Sequence, residues 1–395
     1  MQLGLQGYLP EPAERPAANL VFLIDVSGSM RSPDKLPLVK RALRLLAEQM
    51  TAADRIALVV YAGAAGLALE ATAGNEQAKI RAAIERLEAG GSTNGGAGLQ
   101  LAYEVAAGNL IEGGVNRVII ASDGDMNVGL VEQDALEDLI AGKRKTGIAL
   151  TTLGFGTGNY NYALMERLAD VGDGNAAYID SAAEAHKVLV SEMQSTLLTI
   201  ARDVKLQVEF KPAAVAEYRL VGYENRLLNR GDFRNDKVDA GDIGAGHTVT
   251  AFYEVALVGS AGAAVPARRY ADRPAGGQRQ ERFNGPADDL ADDLADELAF
   301  VRIRYKEPEG EAGRELGQPV LVSQIAALES LPADAQFAAA VAGFGQLLRG
   351  GRHLAGFDVE RVIELARQGR GPDPDGYRGE FIRLVRLAKS LGLEG

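Results

Sequence analysis

The sequence predicts an α/β unit with a mostly parallel sheet and helices on both faces, followed by a β-sandwich-like unit and C-terminal helices. Short apolar runs alternate with helical patterns over residues 19–202. Apolar and polar side chains then alternate over residues 203–308, and helical stripes dominate residues 309–395. We therefore expect three units at these bounds, preceded by an N-terminal strand or linker over residues 1–18.

Strand and helix patterns alternate in order along the α/β segment. The strand patterns lie at residues 19–25, 55–62, 116–122, 148–156 and 175–180. The helical patterns lie at residues 35–50, 76–90, 96–107, 132–147, 162–172 and 182–202. The strands are continuous apolar runs such as NLVFLID, which is typical of parallel sheets covered on both faces. The last helix directly precedes the β-rich segment, so we expect it to couple the two units.

The pattern changes after residue 202. Runs at residues 203–210, 216–225, 247–258 and 297–308 alternate as antiparallel strands do, and they predict a small sandwich. The stretch QLGLQGYL, residues 2–9, also has a strand pattern. If it pairs with the sheet of the β-rich unit, the α/β unit is an insertion within that β-rich unit. Helical patterns at residues 337–350, 358–369 and 379–391 are expected to pack against the β strands.

Composition excludes several classes of function. A formal charge of −12 and a pI near 5.0 argue against binding to nucleic acid or to an anionic membrane. The absence of cysteine excludes disulfides, thiolate catalysis and cysteine-bound zinc. No apolar run reaches the length of about 18 residues that a membrane helix needs, so we expect no membrane insertion. The first residues also lack the features of a signal peptide.

In the stretch LVFLIDVSGSM, an apolar strand pattern is followed directly by a carboxylate and two hydroxyls. Asp25, Ser27 and Ser29 follow one another at a spacing of two, so their oxygens are expected to converge. Asp123 ends another strand, and Thr93 lies in the glycine-rich loop GGSTNGGAGL. Because loops at the carboxyl ends of parallel strands line the ligand crevice, these three segments are expected to meet at one edge.

Two carboxylates and three hydroxyls form a set of hard oxygen donors. Such a set matches Mg²⁺, with Mn²⁺ and Ca²⁺ as alternatives. Mg²⁺ takes about six oxygen ligands, so a five-residue site leaves a position for an acidic group from a partner. Three polar residues beside these loops, either turn residues or contacts around the ion, are Asp125, Asn94 and Asn127.

The same three segments resemble the metal-ion-dependent adhesion site of von Willebrand factor type A (VWA) domains. The resemblance covers residues 19–200, with DVSGSM, GGSTNGGAGL and ASDGDMNVG in the family's order. It implies a Rossmann-like fold with a metal at the top of the sheet and a protein partner that presents Asp or Glu to that metal. YRLVGYENR, RYKEPEG and FAAAVAGFGQLLRG further resemble bacterial YfbK-like VWA proteins, which implies the cell envelope or periplasm.

Two rival functions follow from the same residues. A metal-assisted hydrolase would need a general base near the ion, and Asp125 is the candidate near in sequence. A structural assembly factor would carry a metal that is not essential. We expect no enzyme activity, because the three histidines are far apart in sequence and no base is suggested beside Ser27 or Ser29. The stretch GFGTGNYN, residues 154–161, is interpreted as a turn near the rim of the site and not as a dinucleotide fingerprint.

Overall fold

A computed structural model describes most of the chain and divides it into two compact units. The described residues are 1–8, 15–91, 95–124, 133–157, 160–192, 198–223, 227–236, 238, 240–260, 296–308, 310, 312–351, 354 and 356–393. The α/β unit comprises residues 7–202 and 241–247. The β–helical unit comprises residues 1–6, 203–240 and 248–395. The α/β unit is therefore flanked in sequence by segments of the other unit.

The N-terminal strand belongs to the β–helical unit. Strand β1 (Gln2–Gln6) pairs antiparallel with the strand at Thr248–Leu257, and Leu3 lies opposite Ala251. The Met1 ammonium also donates a hydrogen bond to the carbonyl of Tyr253 over 2.7 Å. Residues far apart in sequence thus form one small sheet.

A six-stranded sheet forms the centre of the α/β unit. Its strands are β2 (Ala18–Asp25), β3 (Arg55–Tyr61), β4 (Ala65–Ala73), β5 (Val115–Ser122), β6 (Ile148–Phe155) and β7 (Ala176–Ile179). The spatial order is β4–β3–β2–β5–β6–β7, and only the β3–β4 pair is antiparallel. This confirms the mostly parallel sheet that the sequence predicts. Strand β4 was missed, because an alanine-rich edge strand in which only Leu69 and Thr72 are buried gives a weak strand signal.

Helices cover both faces of this sheet. They are α1 (Leu36–Ala47), α2 (Gln77–Glu85), α3 (Gly95–Gly108), α4 (Gln133–Arg144), α5 (Tyr162–Val171) and α6 (Ala182–His186). Alternate side chains of β2 enter different cores, because successive residues of a strand point to opposite faces. Leu20 and Phe22 pack with residues of α1, α2 and α6, whereas Val21 and Leu23 pack with residues of α3, α4 and α5.

The long helix predicted over residues 182–202 is wrong. Helix α6 ends at His186 and continues as a π-helical turn at Lys187–Ser191, and Thr199 already starts the next strand. The strand runs over residues 199–210 with a partly alternating burial pattern, and its β-branched Thr199 and Ile200 favour that conformation. A helix that reaches the second unit, as the coupling hypothesis required, is therefore not present in residues 199–202.

The remaining strands lie between residues 199 and 321. They are β8 (Thr199–Phe210), β9 (Val215–Val221), β10 (Gly241–Gly244), β11 (Thr248–Leu257), β12 (Glu297–Lys306) and β13 (Gly313–Leu321). In the β–helical unit, β1, β11 and β9 form one sheet, and β8, β12 and β13 form another. Residues of both sheets share an apolar cluster in which the ring of Phe210 contacts those of Tyr218 and Tyr253. A sandwich requires such a shared core, and the sandwich itself stays a prediction.

Strand β13 lies in the segment predicted to be helical from residue 309. It contains Pro319 and two glycines, which weaken a strand pattern in sequence. The structure accommodates Pro319 because β13 is an edge strand, paired on one side with β12. Phe300 lies opposite Pro319 in the register, and its ring reaches diagonally across to cover the bare backbone of Gly317.

Three helices complete the β–helical unit: α7 (Ala333–Leu348), α8 (Val359–Gln368) and α9 (Tyr377–Ser390). They share an apolar core around Phe344, Val362 and Val385. Phe381 of α9 makes edge-to-face contacts with two aromatic rings of α7. None of the helices in the described ranges is both long and apolar enough to cross a membrane.

Candidate metal centre

Two buried carboxylates lie at the carboxyl ends of neighbouring parallel strands. Asp25 is the last residue of β2 and is fully buried, and Asp123 directly follows β5 with 1% exposure. Ile24 pairs in register with Ala121, which brings Asp25 level with Ser122. The Ser122 hydroxyl donates a hydrogen bond to Asp25 Oδ2 over 3.3 Å. The strand register therefore brings together the two strand ends that the sequence singled out.

The turn after β2 gathers the two serines beside Asp25. The Ser27 amide donates to Asp25 Oδ1 over 2.8 Å, and the hydroxyl oxygens of Ser27 and Ser29 lie 3.0 Å apart. Ser27 is buried, whereas Ser29 lies exposed in the 3₁₀ turn Gly28–Arg31. Each oxygen of an ionised carboxylate offers about two lone pairs, so the hydrogen bonds on Asp25 leave capacity for another contact.

The glycine-rich loop lies against the same turn. The Gly28 amide donates to the Gly91 carbonyl over 3.1 Å, and the Gly90 amide donates to the Val26 carbonyl over 2.7 Å. Gly91 has a φ of +85°, a conformation that favours glycine. The end of the described segment before helix α3, which starts at Gly95, therefore lies against the serine turn.

Four of the predicted residues lie outside the described part of the chain. They are Thr93, Asn94, Asp125 and Asn127. Asp25, Ser27, Ser29 and Asp123 are the predicted residues that the structure describes.

The electrostatics of the site follow from burial and from the close carboxylates. Burial raises the pKa of Asp25, hydrogen bonds from Ser27 lower it, and the negative charge of Asp123 raises it, with a net rise. Burial, together with the charge of Asp25, also raises the pKa of the Tyr61 hydroxyl well above its ordinary value. Within the part of the chain that the structure describes, that buried hydroxyl has no hydrogen-bond partner. Two like charges with little access to water disfavour each other, so this pocket favours a cation.

Three residues of the site were missed by the sequence analysis. Lys35 Nζ lies 2.9 Å from Asp123 Oδ2, Ser122 bonds to Asp25, and Tyr61 lies opposite Asp25 in the register of β2 and β3. The position of Tyr61 as the last residue of a parallel neighbour strand was the available signal. Lys35 gave none, because only the tertiary fold brings the start of α1 to β5.

An aromatic side chain covers the backbone next to Asp123. A Cβ atom on Gly124 would lie 2.6 Å from the Asn161 amide nitrogen and 2.7 Å from the ring of Tyr160. The hydroxyl of Tyr178 donates to the Gly156 carbonyl over 2.7 Å. The described parts of the stretch 154–161 therefore lie at the rim of the candidate site.

Comparison with protein families identifies both parts of the chain. Residues 19–192 match the von Willebrand factor type A domain, and residues 195–391 match the C-terminal domain of the uncharacterized protein YfbK. The chain is also 46% identical over 379 residues to YfbK of Escherichia coli strain K12, which covers 96% of this chain and 63% of YfbK. This chain joins a VWA domain to a YfbK-type C-terminal domain.

Other relatives match the VWA domain alone. A UPF0353 protein of Mycolicibacterium paratuberculosis is 30% identical over 190 residues, which covers 42% of this chain and 56% of that protein. The chain thus spans less than two thirds of either relative. Among solved structures, a von Willebrand factor type A protein from Catenulispora acidiphila is similar over 98% of this chain and 89% of its own, with 15% identity and a TM-score of 0.49. BatB from Bacteroides thetaiotaomicron is similar over 45% of this chain and 97% of its own, with 19% identity and a TM-score of 0.39.

The donor set of the VWA domain fits a small divalent cation. Asp25 and Asp123 supply buried carboxylates, and Ser27 and Ser29 supply two hydroxyl oxygens that already lie at contact distance from each other. All are hard oxygen donors of the kind that Mg²⁺ prefers. Within the described residues, no group of three or more His, Asp or Glu side chains is placed to hold a metal.

Proposed function

We propose that the VWA domain binds a divalent cation and, through it, an acidic residue of a protein partner. Mg²⁺ is the proposed ion, with Mn²⁺ and Ca²⁺ as alternatives. The proposed ligands, direct or through water, are Asp25, Ser27, Ser29, Thr93 and Asp123. Asp125, Asn94 and Asn127 are proposed to lie around them.

The observation that carries this proposal is the pair of buried carboxylates at the ends of β2 and β5. Asp25 and Asp123 are 0% and 1% exposed, and the charge of Asp123 raises the pKa of Asp25. Burying two carboxylates side by side is costly unless cations compensate them. The ammonium of Lys35 pairs with Asp123, whereas among the described residues Asp25 has hydrogen bonds and no ion pair. Two serine hydroxyls lie beside Asp25, which suits a hard cation better than it suits a hydrophobic or nucleotide ligand.

The ion would provide the chemistry of recognition. When bound, it supplies a positive charge with a coordination position for a carboxylate, and hydroxyl ligands leave more of that charge uncompensated than carboxylates would. The chain's own residues orient this position: the Ser27 amide and the Ser122 hydroxyl fix both oxygens of Asp25.

We also propose that the β strands of the β–helical unit form a small sandwich, which their shared apolar cluster supports.

Calorimetric titration of the full chain with MgCl₂ tests the metal. We expect saturable binding by the native protein, loss of that binding in Asp25→Ala, and native binding in the control Asp138→Ala, whose side chain is exposed on α4. Equal affinity in the native protein and Asp25→Ala would reject the assignment. Affinity capture in Mg²⁺ and in chelator then tests the partner, which should be retained only with the metal.

We further propose that the protein acts by binding and not by catalysis. The hydrolase alternative predicts metal-dependent turnover of a phosphoester or peptide substrate that is lost in Asp125→Ala. The assembly-factor alternative predicts partner capture that chelator leaves unchanged. Each outcome is incompatible with the proposed function.

A further inference from the structure

Lys35 brings a positive charge of the protein into the candidate metal centre. Its Nζ lies 2.9 Å from Asp123 Oδ2, although the two residues are 88 positions apart in the chain. The Lys35 side chain is 11% exposed and that of Asp123 is 1% exposed, so this ion pair lies largely out of water. An ion pair of this kind interacts more strongly than a pair on the surface.

The backbone of Lys35 is fixed at the start of α1. Its amide donates to the Ser32 carbonyl over 3.0 Å, and its carbonyl accepts from the amides of Leu38 and Val39 over 2.8 and 2.9 Å. The first turn of a helix that packs into the core of the sheet therefore sets the position of this residue.

The stem of Lys35 passes over a glycine. Gly156, which follows β6, has a φ of +79°, and a Cβ atom there would overlap the Cγ, Cδ and Cε atoms of Lys35. A side chain at position 156 would therefore block the path from α1 to Asp123. The bare backbone of Gly156 and the helix start together direct the ammonium to the carboxylate, which makes this contact a built feature and not a chance surface pair.

If a divalent cation binds Asp123 Oδ2 while the Lys35 ammonium still contacts it, the two positive charges repel each other. Like charges a few ångströms apart in a partly buried site repel more strongly than in water, because the effective dielectric constant is lower there. A cation bound through this oxygen must move Lys35 away or accept the repulsion. In the first case, binding of the metal costs the free energy of the Lys35–Asp123 ion pair. In the second case, it costs the repulsion between the two cations. Both make metal binding less favourable.

We propose that Lys35 is a tethered competitor of the metal that lowers the affinity of the site for divalent cations. This inference rests on the proposed function, because it assumes that Asp123 serves the metal. The ammonium compensates the buried charge of Asp123, and the same contact lowers the affinity of the site for a divalent cation.

Metal titration of full-length charge variants tests this competition. We expect Lys35→Met to bind Mg²⁺ and Mn²⁺ roughly tenfold more tightly than the native protein, because the competing ammonium is removed; this change corresponds to about 1.4 kcal/mol. Lys35→Arg keeps the charge and should retain the low native affinity. The matched control is Lys40→Met, which removes a charge from the same helix, where Lys40 Nζ bonds to the carbonyls of Glu85 and Leu87.

Thermal unfolding gives an independent readout. Without metal, Lys35→Met should melt below the native protein, because Asp123 loses its counter-charge, and Mg²⁺ should raise its melting temperature more than that of the native protein. If Lys35→Met does not fold, the same measurements are made on Lys35→Gln, which removes the charge and keeps a hydrogen-bond donor. Affinity in the charge-removing variant equal to or weaker than native would overturn the competition and leave the metal site intact. Absence of Mg²⁺ binding in every folded variant would overturn the competition together with the proposed function.

Discussion

Ser122 Oγ donates a hydrogen bond to Asp25 Oδ2 over 3.3 Å, although 97 residues separate the two along the chain. The same hydroxyl oxygen accepts a hydrogen bond from the Gly124 amide over 3.1 Å. One buried hydroxyl therefore connects the end of β2 with the turn that follows Asp123. The Ser122 hydroxyl therefore bonds directly to one carboxylate and to the backbone beside the other.

Removal of that hydroxyl should loosen the site. In Ser122→Ala the buried Gly124 amide loses its acceptor, and we expect the free energy of unfolding to fall by about 1–2 kcal/mol. Urea unfolding of the full chain measures this loss. The control Thr146→Ala removes an exposed hydroxyl of the same unit and should change the free energy of unfolding by less than about 0.5 kcal/mol. Equal effects in the two variants would show that Ser122 has no special part in stability.

The close approach of α3 to the sheet depends on Gly98. A Cβ atom there would lie 2.9 Å from both Leu23 Cδ1 and Tyr61 Cβ, which is closer than packed carbon atoms allow. We therefore expect Gly98→Ala to lower the free energy of unfolding by about 1–3 kcal/mol. Gly108, at the other end of α3, has no atom within 4 Å of an added Cβ. Gly108→Ala should be neutral or stabilising by up to about 1 kcal/mol. Equal stability of the two variants, measured by urea unfolding, would contradict this account of the packing.

Asp54 makes the stability of the α/β unit depend on acid. Burial tends to raise the pKa of this carboxyl, but hydrogen bonds from the Thr51 and Ala18 amides and the charge of Arg15 hold it below its ordinary value near 3.8. Because its pKa is lower in the folded state, ionised Asp54 stabilises the fold at pH values above about 3.8. The contribution is lost as the pH falls through the folded-state pKa.

Asp54→Asn should therefore be less stable than the native protein by about 2 kcal/mol at pH 7, and this difference should shrink on acidification below about pH 4. Urea unfolding at a series of pH values measures the difference. Asp138→Asn, in an exposed position of the same unit, should show no comparable loss at pH 7. A difference between native protein and Asp54→Asn that grows on acidification would contradict the sign of the effect.

The Ser27 hydroxyl should be needed for stabilisation by metal. If the site binds Mg²⁺, a concentration of 100 times the dissociation constant stabilises the native protein by about 2.7 kcal/mol. We expect Ser27→Ala to lose most of this gain, because Ser27 Oγ lies with Ser29 Oγ in the proposed ligand set. Ser181→Ala serves as the control: Ser181 caps α6 through the Glu184 amide, so the variant is less stable but should respond to Mg²⁺ as the native protein does. A full Mg²⁺ response in Ser27→Ala would remove this serine from the proposed site.

Local spacing was sufficient to predict part of the candidate site. Asp25, Ser27 and Ser29 lie within one short turn, so their approach depends on residues that are near in sequence. The position of Asp123 required the further step that parallel strands end at one edge of the sheet. The helix predicted over residues 182–202 failed for the opposite reason. Strand pairing with distant residues overrides a weak helical pattern, as the pairing of β8 with β10 shows.

The sequence by itself determined the alternation of strands and helices, the two faces of β2 and the serine turn after Asp25. These features follow from the periodicity of side chains along a single segment, which a linear chain displays directly. Only the tertiary structure decided that β4 and β13 complete their sheets, that Ser122 bonds to Asp25 and that Lys35 reaches Asp123 over Gly156. Edge strands and contacts across 88 or 97 residues depend on register, on helix position and on the absence of a Cβ atom at one place, and none of these quantities has a local signature.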